Sequence, residues 1–159
     1  MKQKELSRWL RAVVAVGWCA CVLLSVWILP TLAQETAMGN PEYAYLVWPC
    51  LAVCWIGLIV VAVALWFAWL IFGEIGRDNS FCRKNASRLS TISHLALADT
   101  VLCLISIVLL IVLNAMHPGL LLLALLIAAI GAGIAAAAAA LSHLTLKAAL
   151  LQEENDLTV

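Results

Sequence analysis

The longest stretch of the chain without an Asp, Glu, Lys or Arg extends from residue 100 to residue 146. A transmembrane helix needs about 20 consecutive, mostly apolar residues, so this stretch is too long for a single helix. The segment Asn114–Gly119 interrupts it with a Pro-Gly pair, which does not continue a helix from the residues before it. The stretch therefore predicts two antiparallel membrane-spanning helices joined by a tight turn.

Two further charge-free stretches, 12–34 and 43–73, are also long enough to span a membrane. The four predicted spans are at about 12–33, 44–72, 89–113 and 120–146. The pattern Thr31-Leu32-Ala33 resembles a signal-peptide cleavage site, which leaves a cleaved signal peptide as the alternative for the first span. A retained helix is favoured because the apolar stretch exceeds the hydrophobic region of about 7–15 residues in a signal peptide.

The composition supports a membrane protein. Of the 159 residues, 65% are hydrophobic and only 11% are charged, which leaves too few charges to solvate a globular surface. The net charge of zero gives no basic excess for direct nucleic-acid binding. The predicted fold class is therefore all-α, an integral membrane protein in which residues 1–159 form one antiparallel four-transmembrane-helix bundle. The lipid bilayer is therefore one predicted partner of the chain.

The basic residues all fall on one side of a four-span protein. The nine are Lys2, Lys4, Arg8, Arg11, Arg77, Arg83, Lys84, Arg88 and Lys147. The connections on the other side, 34–43 and 114–119, carry no basic residue. The positive-inside rule then predicts that both termini are cytoplasmic.

Polar residues within the predicted spans are candidates for a functional site. Asp99 is the only acidic residue in a span, and an intramembrane carboxylate is costly and often functional. His94 and His143 are predicted at a similar depth, so the three form a candidate intramembrane polar cluster. Three interpretations stay open, namely a proton or ligand site, a metal site, and a structural hydrogen-bond cluster. No dedicated metal-ligand spacing is present, so we expect neither a metal nor a cofactor.

Small residues dominate the fourth span. The triplets Ala128/Ala132/Ala136 and Ala129/Gly133/Ala137 have the spacing that lets helix backbones approach closely. They predict either a homo-oligomer interface or tight packing within the chain, and the second is favoured. Cys50 and Cys54 lie one helical turn apart, and we interpret them as packing residues rather than as a redox pair.

No catalytic motif is visible in the chain, so we expect that it is not an enzyme. The polar, varied part of the sequence is predicted to be cytoplasmic. Residues 80–92, with a helix cap at Ser80 or Asn79, predict an amphipathic elbow in the inner headgroups, and residues 152–159 form an acidic tail. The candidate contacts for a cytoplasmic partner or lipid are Arg77, Phe81, Arg83, Lys84, Asn85, Arg88, Glu153, Glu154 and Asp156.

Two segments resemble a known family. Phe81-Cys82-Arg83-Lys84-Asn85, followed by Leu89, and the ending 151–159 are similar to motifs of small bacterial membrane proteins called the domain of unknown function 2975 family. The resemblance implies four spans and no established activity. The chain departs from the family pattern at Lys84, because an acidic residue is common at that position in the family. Its members are often encoded beside a small helix-turn-helix regulator, which implies such a regulator as the partner.

These observations predict a non-enzymatic, multi-pass protein of the bacterial inner membrane that senses a signal and communicates with a cytoplasmic helix-turn-helix regulator. A second hypothesis is a small transporter or immunity-type protein that uses Asp99 as an intramembrane proton or ligand site. A third is a structural subunit of a membrane complex, which the small residues of the fourth span favour.

Overall fold

The computed structural model describes residues 3–77 and 80–156, and the side chains up to residue 155. The described chain is almost entirely helical. Its α-helices are α1 (Gln3–Leu23), α2 (Leu29–Gly39), α3 (Val47–Ile75), α4 (Arg83–Val112) and α5 (Pro118–Asp156). A π-helical turn, Leu24–Ile28, joins α1 to α2, and a 3-10 helix, Pro41–Leu46, precedes α3.

Four helical stretches are long and apolar enough to cross a membrane. They are Gln3–Gly39, Pro41–Ile75, Arg83–Val112 and Pro118–Asn155. The predicted all-α, four-helix membrane architecture is thus confirmed. It follows from the physics of the bilayer, since a helix satisfies its backbone hydrogen bonds internally where no water is present.

The π-helical turn between α1 and α2 has a local cause in Pro30. A π turn pairs each N–H with the carbonyl five residues earlier, and Pro30 has no N–H to give to Ser25. Trp55 of α3 supplies the missing donor, because its Nε1 donates a hydrogen bond of 3.1 Å to the Ser25 carbonyl oxygen. The irregular turn is therefore satisfied by the neighbouring helix.

The helices are packed side by side in the order of the sequence. Helix α1 contacts α3, α3 contacts α4, and α4 contacts α5. Within the described residues, α1 contacts neither α4 nor α5, and α3 does not contact α5. The bundle is consequently an open row, in which α1 and α5 form the two edges.

Helices α4 and α5 meet along a seam of small residues. Ser93 donates a hydrogen bond of 2.7 Å to the Ala135 carbonyl, and Ser142 donates one of 2.7 Å to the Ala86 carbonyl. Side chains at intervals of three, four and seven residues are buried along α5, as in a coiled coil. They are Ala128, Ala135, Ala138, Thr145 and Ala149.

The packed set of α5 differs from the small-residue triplets that the sequence indicated. Of those six residues only Ala128 is buried in the seam. The other five, which are exposed, are Ala129, Ala132, Gly133, Ala136 and Ala137. The fourth span therefore packs within the chain through small residues, as favoured above. The packed residues, however, lie on a different face of the helix from most of the predicted triplets.

Helices α1 and α3 are joined by polar and aromatic contacts. Ser7 donates a hydrogen bond of 2.6 Å to the Phe72 carbonyl near one end of the pair. Further along, the Trp18 ring stacks on the rings of Trp66 and Trp69, with centroids 6.0 Å and 5.8 Å away. Stacked aromatic pairs of this separation add packing energy beyond the area they bury. These contacts fix the first helix, although it has only one long neighbour.

The contacts between helices also define the two ends of the row. Ser7 meets Phe72, and Arg83 meets Glu153, at the end that carries the described basic residues; we call this the basic end. At the opposite end, the Tyr43 hydroxyl donates a hydrogen bond of 3.0 Å to the Asn114 carbonyl. That bond connects the two loops on the side that lacks basic residues.

Candidate functional site

The start of α4 lies at the basic end and contains the segment that resembles the family motif. Cys82 is the N-cap, with extended backbone angles, and its carbonyl accepts bonds from the amides of Asn85 and Ala86. The predicted cap at Ser80 is therefore wrong, and the alternative cap, Asn79, lies outside the described residues. The physical reason is that Ser80 lies in the loop before the helix, where its carbonyl accepts a hydrogen bond from the Asn85 side chain.

Asn85 is the most buried side chain at this end. It is only 1% exposed, and its Nδ2 donates a hydrogen bond of 3.1 Å to the Ser80 carbonyl. Its Oδ1 accepts a bond of 3.1 Å from Arg88 Nη1. Its amide is enclosed and holds the loop before α4 against the helix, so the Asn85 side chain is not on the surface at which a partner or lipid contact was predicted.

Arg88 also points into the protein. Its Nη1 is 3.4 Å from the Leu70 carbonyl, to which it donates, and 3.9 Å from Glu74 Oε1 on α3. The Arg88 side chain is 21% exposed, and Glu74 also lies 4.0 Å from Arg77. Arg88 therefore connects α4 to α3, and this contact reduces its availability to a partner.

Arg83 and Glu153 join the beginning of α4 to the end of α5. Arg83 Nε is 2.9 Å from Glu153 Oε1, and Arg83 Nη2 is 2.6 Å from Oε2, which is the two-pronged geometry that arginine favours with a carboxylate. Both residues lie outside the predicted spans 89–113 and 120–146. Because Arg83 donates these bonds, the pKa of the Glu153 carboxyl is lowered from its ordinary value. The pair is exposed, so salt and water screen it.

The predicted elbow and tail are parts of two long helices. Helix α4 runs without interruption from Arg83 to Val112, and α5 continues to Asp156, so the described part of the acidic tail is helical. The side chain of Asp156 and the tail residues 157–159 lie outside the described part. Glu154 is exposed on the last turns of α5.

Besides Arg83, Glu153 and Glu154, three further predicted contact residues are exposed at the basic end. The Arg77 side chain is 79% exposed, Phe81 is 58% exposed, and Lys84 is exposed on the first turn of α4. We call Arg77, Phe81 and Lys84 the basic-end surface. An exposed aromatic ring with a cation before it and a cation after it in the sequence is the chemically distinctive feature of this part of the molecule.

The intramembrane polar residues do not meet at one point. His94 is exposed, and its Nδ1 lies 2.7 Å from the Ser90 carbonyl of its own helix. His143 is exposed and follows Ser142, which contacts Ala86, so it lies nearer to the basic end than His94 does. Asp99 faces the other neighbour of α4, helix α3. The structure therefore separates the three predicted members of the cluster.

Asp99 is positioned by a glycine of α3. Its Oδ1 lies 3.0 Å from the place where a Cβ on Gly57 would be, so the carboxyl group rests against the backbone of α3. Cys103 lies one turn from Asp99 on α4, and Cys54 lies one turn from Gly57 on α3. The neighbours of Asp99 are thus thiols rather than imidazoles. The feature of the sequence that could have indicated these neighbours was Gly57, a small residue that lies one turn from Cys54.

No group of three or more His, Cys, Asp or Glu residues that could hold a metal ion is found in residues 3–77 and 80–156.

An apolar groove of about 560 Å³ lies beside the π-helical turn, between α1 and α3. The polar atoms at its edge are already bonded, since the Ser25 hydroxyl donates to the Val22 carbonyl and the Ser25 carbonyl accepts from Trp55. Its surface is therefore hydrocarbon in character. The lining includes Cys21, Val26, Pro30, Leu58, Ile59 and Ala62.

The fold and these sites define a multi-pass α-helical membrane protein. The chain belongs to the family described as protein of unknown function (DUF2975), whose model matches residues 31–159. The match covers nearly all of α2 and the whole of α3, α4 and α5, and it confirms the family resemblance of the sequence. No curated protein and no solved structure matches the chain significantly.

Proposed function

We propose that the chain is a non-enzymatic inner-membrane protein that passes a membrane or small-molecule signal to a cytoplasmic helix-turn-helix regulator. The basic-end surface is the contact site in this proposal. The placement of this surface in the cytoplasm rests on the positive-inside rule, since the described basic residues gather at this end. The regulator as partner rests on the family resemblance.

The exposed Phe81 ring is the observation that carries this proposal. It is 58% exposed, whereas the side chain of Asn85 beneath the same turn is 1% exposed. A turn held this firmly presents Phe81 in a fixed position, which lowers the entropy cost of binding. Aromatic residues are frequent hot spots in interfaces, and flanking cations select an acidic rim on the partner.

Replacing Phe81 by alanine is expected to weaken capture of the regulator encoded beside the gene by about thirtyfold, because a hot-spot side chain contributes on the order of 2 kcal/mol. The measurement is a pull-down of the purified regulator by the full-length protein in nanodiscs. Met38→Ala is the matched control, since Met38 is 75% exposed at the opposite end. Equal recovery by the wild type, Phe81→Ala and a chain truncated after Gln152 would contradict the proposal.

Asp99 supports a second candidate function, a small transporter or immunity-type protein. Its carboxyl group is the single acidic group between residues 79 and 152 and rests on Gly57 between two packed helices. Such a group is a carrier of a proton or a cation in many membrane proteins.

In this second function, Asp99→Asn is expected to abolish pH-dependent flux in proteoliposomes, or protection against a toxin in cells. The reason is that an amide, unlike a carboxyl group, does not bind and release a proton in this pH range. Ser106→Ala is the control on the same helix, since it removes a hydroxyl that bonds only to the Leu102 carbonyl. Unchanged flux and unchanged protection with Asp99→Asn exclude the transporter or immunity role.

A further inference from the structure

Arg11 is a cation held in a fixed position at the basic end of α1. Its Cζ lies 4.9 Å from the centre of a ring of Trp69, close enough for a cation–π interaction. Its Nη2 lies over Gly73, where an added Cβ would collide with it. The aromatic face and the bare glycine together hold the guanidinium group between α1 and α3.

The Nε atom of Arg11 has no hydrogen-bond acceptor among the described residues. Its Nε is buried, and it is the one buried side-chain nitrogen or oxygen without a hydrogen-bond partner among the described residues. Buried charged donors are normally paired, so an acceptor from outside the chain would complete the hydrogen bonding of this group.

The surroundings of Arg11 indicate the chemistry of that acceptor. Arg11 immediately precedes the first apolar stretch, which places it at the level of the lipid headgroups. Lys4 and Arg8 add positive charge on the same helix, and Trp9 is 70% exposed, as expected of an interfacial aromatic. A guanidinium group matches the oxygens of a phosphate in a two-pronged geometry.

We propose that Arg11, held by Trp69 and Gly73, is the centre of a binding site for the phosphate group of an anionic phospholipid. The phosphate oxygens accept hydrogen bonds from the guanidinium group, and the acyl chains extend along the lipid-facing surface of α1. Lipid phosphate and inorganic phosphate share this chemistry, and the headgroup depth of Arg11 assigns the lipid. The site is separate from the basic-end surface and does not depend on the proposed regulator.

The test is lipid retention by the intact protein in native mass spectrometry, with phosphatidylglycerol, phosphatidylcholine and inorganic phosphate as three separate probes. The variants are Arg11→Gln, which removes the fork, and Arg11→Lys, which keeps the charge without the fork. Arg8→Gln is the matched control, since it removes the same charge from the same helix without a contact to Trp69. Circular dichroism verifies that each variant stays folded.

The wild type is expected to retain phosphatidylglycerol over phosphatidylcholine, and Arg11→Gln to lower that retention by about tenfold, as for the loss of a charge-assisted hydrogen bond. Arg11→Lys is expected to lie between them and Arg8→Gln near the wild type. Equal loss in Arg11→Gln and Arg8→Gln would overturn the site, because it would show general charge attraction. Retention of inorganic phosphate without a preference for phosphatidylglycerol would overturn the assignment to lipid. If Arg11→Gln does not fold, retention by Arg11→Lys equal to the wild type overturns the proposal.

Discussion

Replacing Gly131 by leucine is expected to force α4 and α5 apart and to lower the free energy of unfolding by about 1–3 kcal/mol, the usual cost of overpacking. A Cβ at this position would collide with the Thr100 hydroxyl and would lie 3.9 Å from the Ala96 carbonyl. The collision cannot be relieved easily, because Thr100 is buried and its hydroxyl donates a bond of 2.8 Å to Ala96. Reversible unfolding in mixed micelles, followed by circular dichroism, measures the effect.

Gly133→Leu is the matched control for this variant. It is the same change on the same helix, but nothing lies within 4 Å of a Cβ at Gly133. Unfolding should therefore be unaffected or slightly less favourable, since leucine is the better helix former. A loss of stability equal to that of Gly131→Leu would contradict the packing of α4 on α5. If Gly133→Leu instead changes the oligomeric state, the exposed small residues of α5 form an interface between copies.

The number of helices could be predicted from the sequence because the bilayer imposes it. Charged residues are costly in the membrane core, so charge-free stretches and the turn before Pro118 determine where helices cross. The contact between Tyr43 and Asn114 is consistent with this layout, since it joins the two loops that lack basic residues.

The rotation of each helix about its axis could not be predicted in the same way. A soluble helix shows its buried face by a stripe of apolar residues, but here lipid and protein are both apolar, so the residues around the helix give no such signal. This is why His94 proved exposed while Asp99 faces Gly57. It is also why the stripe through Gly131, rather than the one through Gly133, packs against α4.

The roles of the polar residues at the basic end could not be predicted for a different reason. In a short loop beside the membrane, a polar side chain is equally suited to bind a partner and to satisfy the backbone. Asn85 does the second, because the loop before α4 has a carbonyl at Ser80 that no helix bond reaches. Only the path of the chain shows which carbonyl is left unpaired, and the sequence does not contain that path.

Replacing Asn85 by alanine is expected to lower the free energy of unfolding by about 1–3 kcal/mol, since it leaves buried polar groups without their partner. The Ser80 carbonyl loses the donor at 3.1 Å, and Arg88 Nη1 loses the Oδ1 acceptor at 3.1 Å. Because Arg88 is also placed against Glu74 of α3, the loss should loosen the loop and the α3–α4 contact together. Unfolding by denaturant in micelles and protease cleavage near Ser80 measure the two effects.

Ser87→Ala is the control for this substitution, since Ser87 is exposed on the next residues of the same helix. It should change neither stability nor cleavage. If Asn85→Ala unfolds like the wild type but fails to bind the regulator, Asn85 acts as a contact residue and the assignment of its amide to the loop is wrong. If it loses stability and also loses the regulator, while Phe81→Ala loses the regulator alone, the two residues have separate roles. Asn85 then positions the turn, and Phe81 makes the contact that the turn presents.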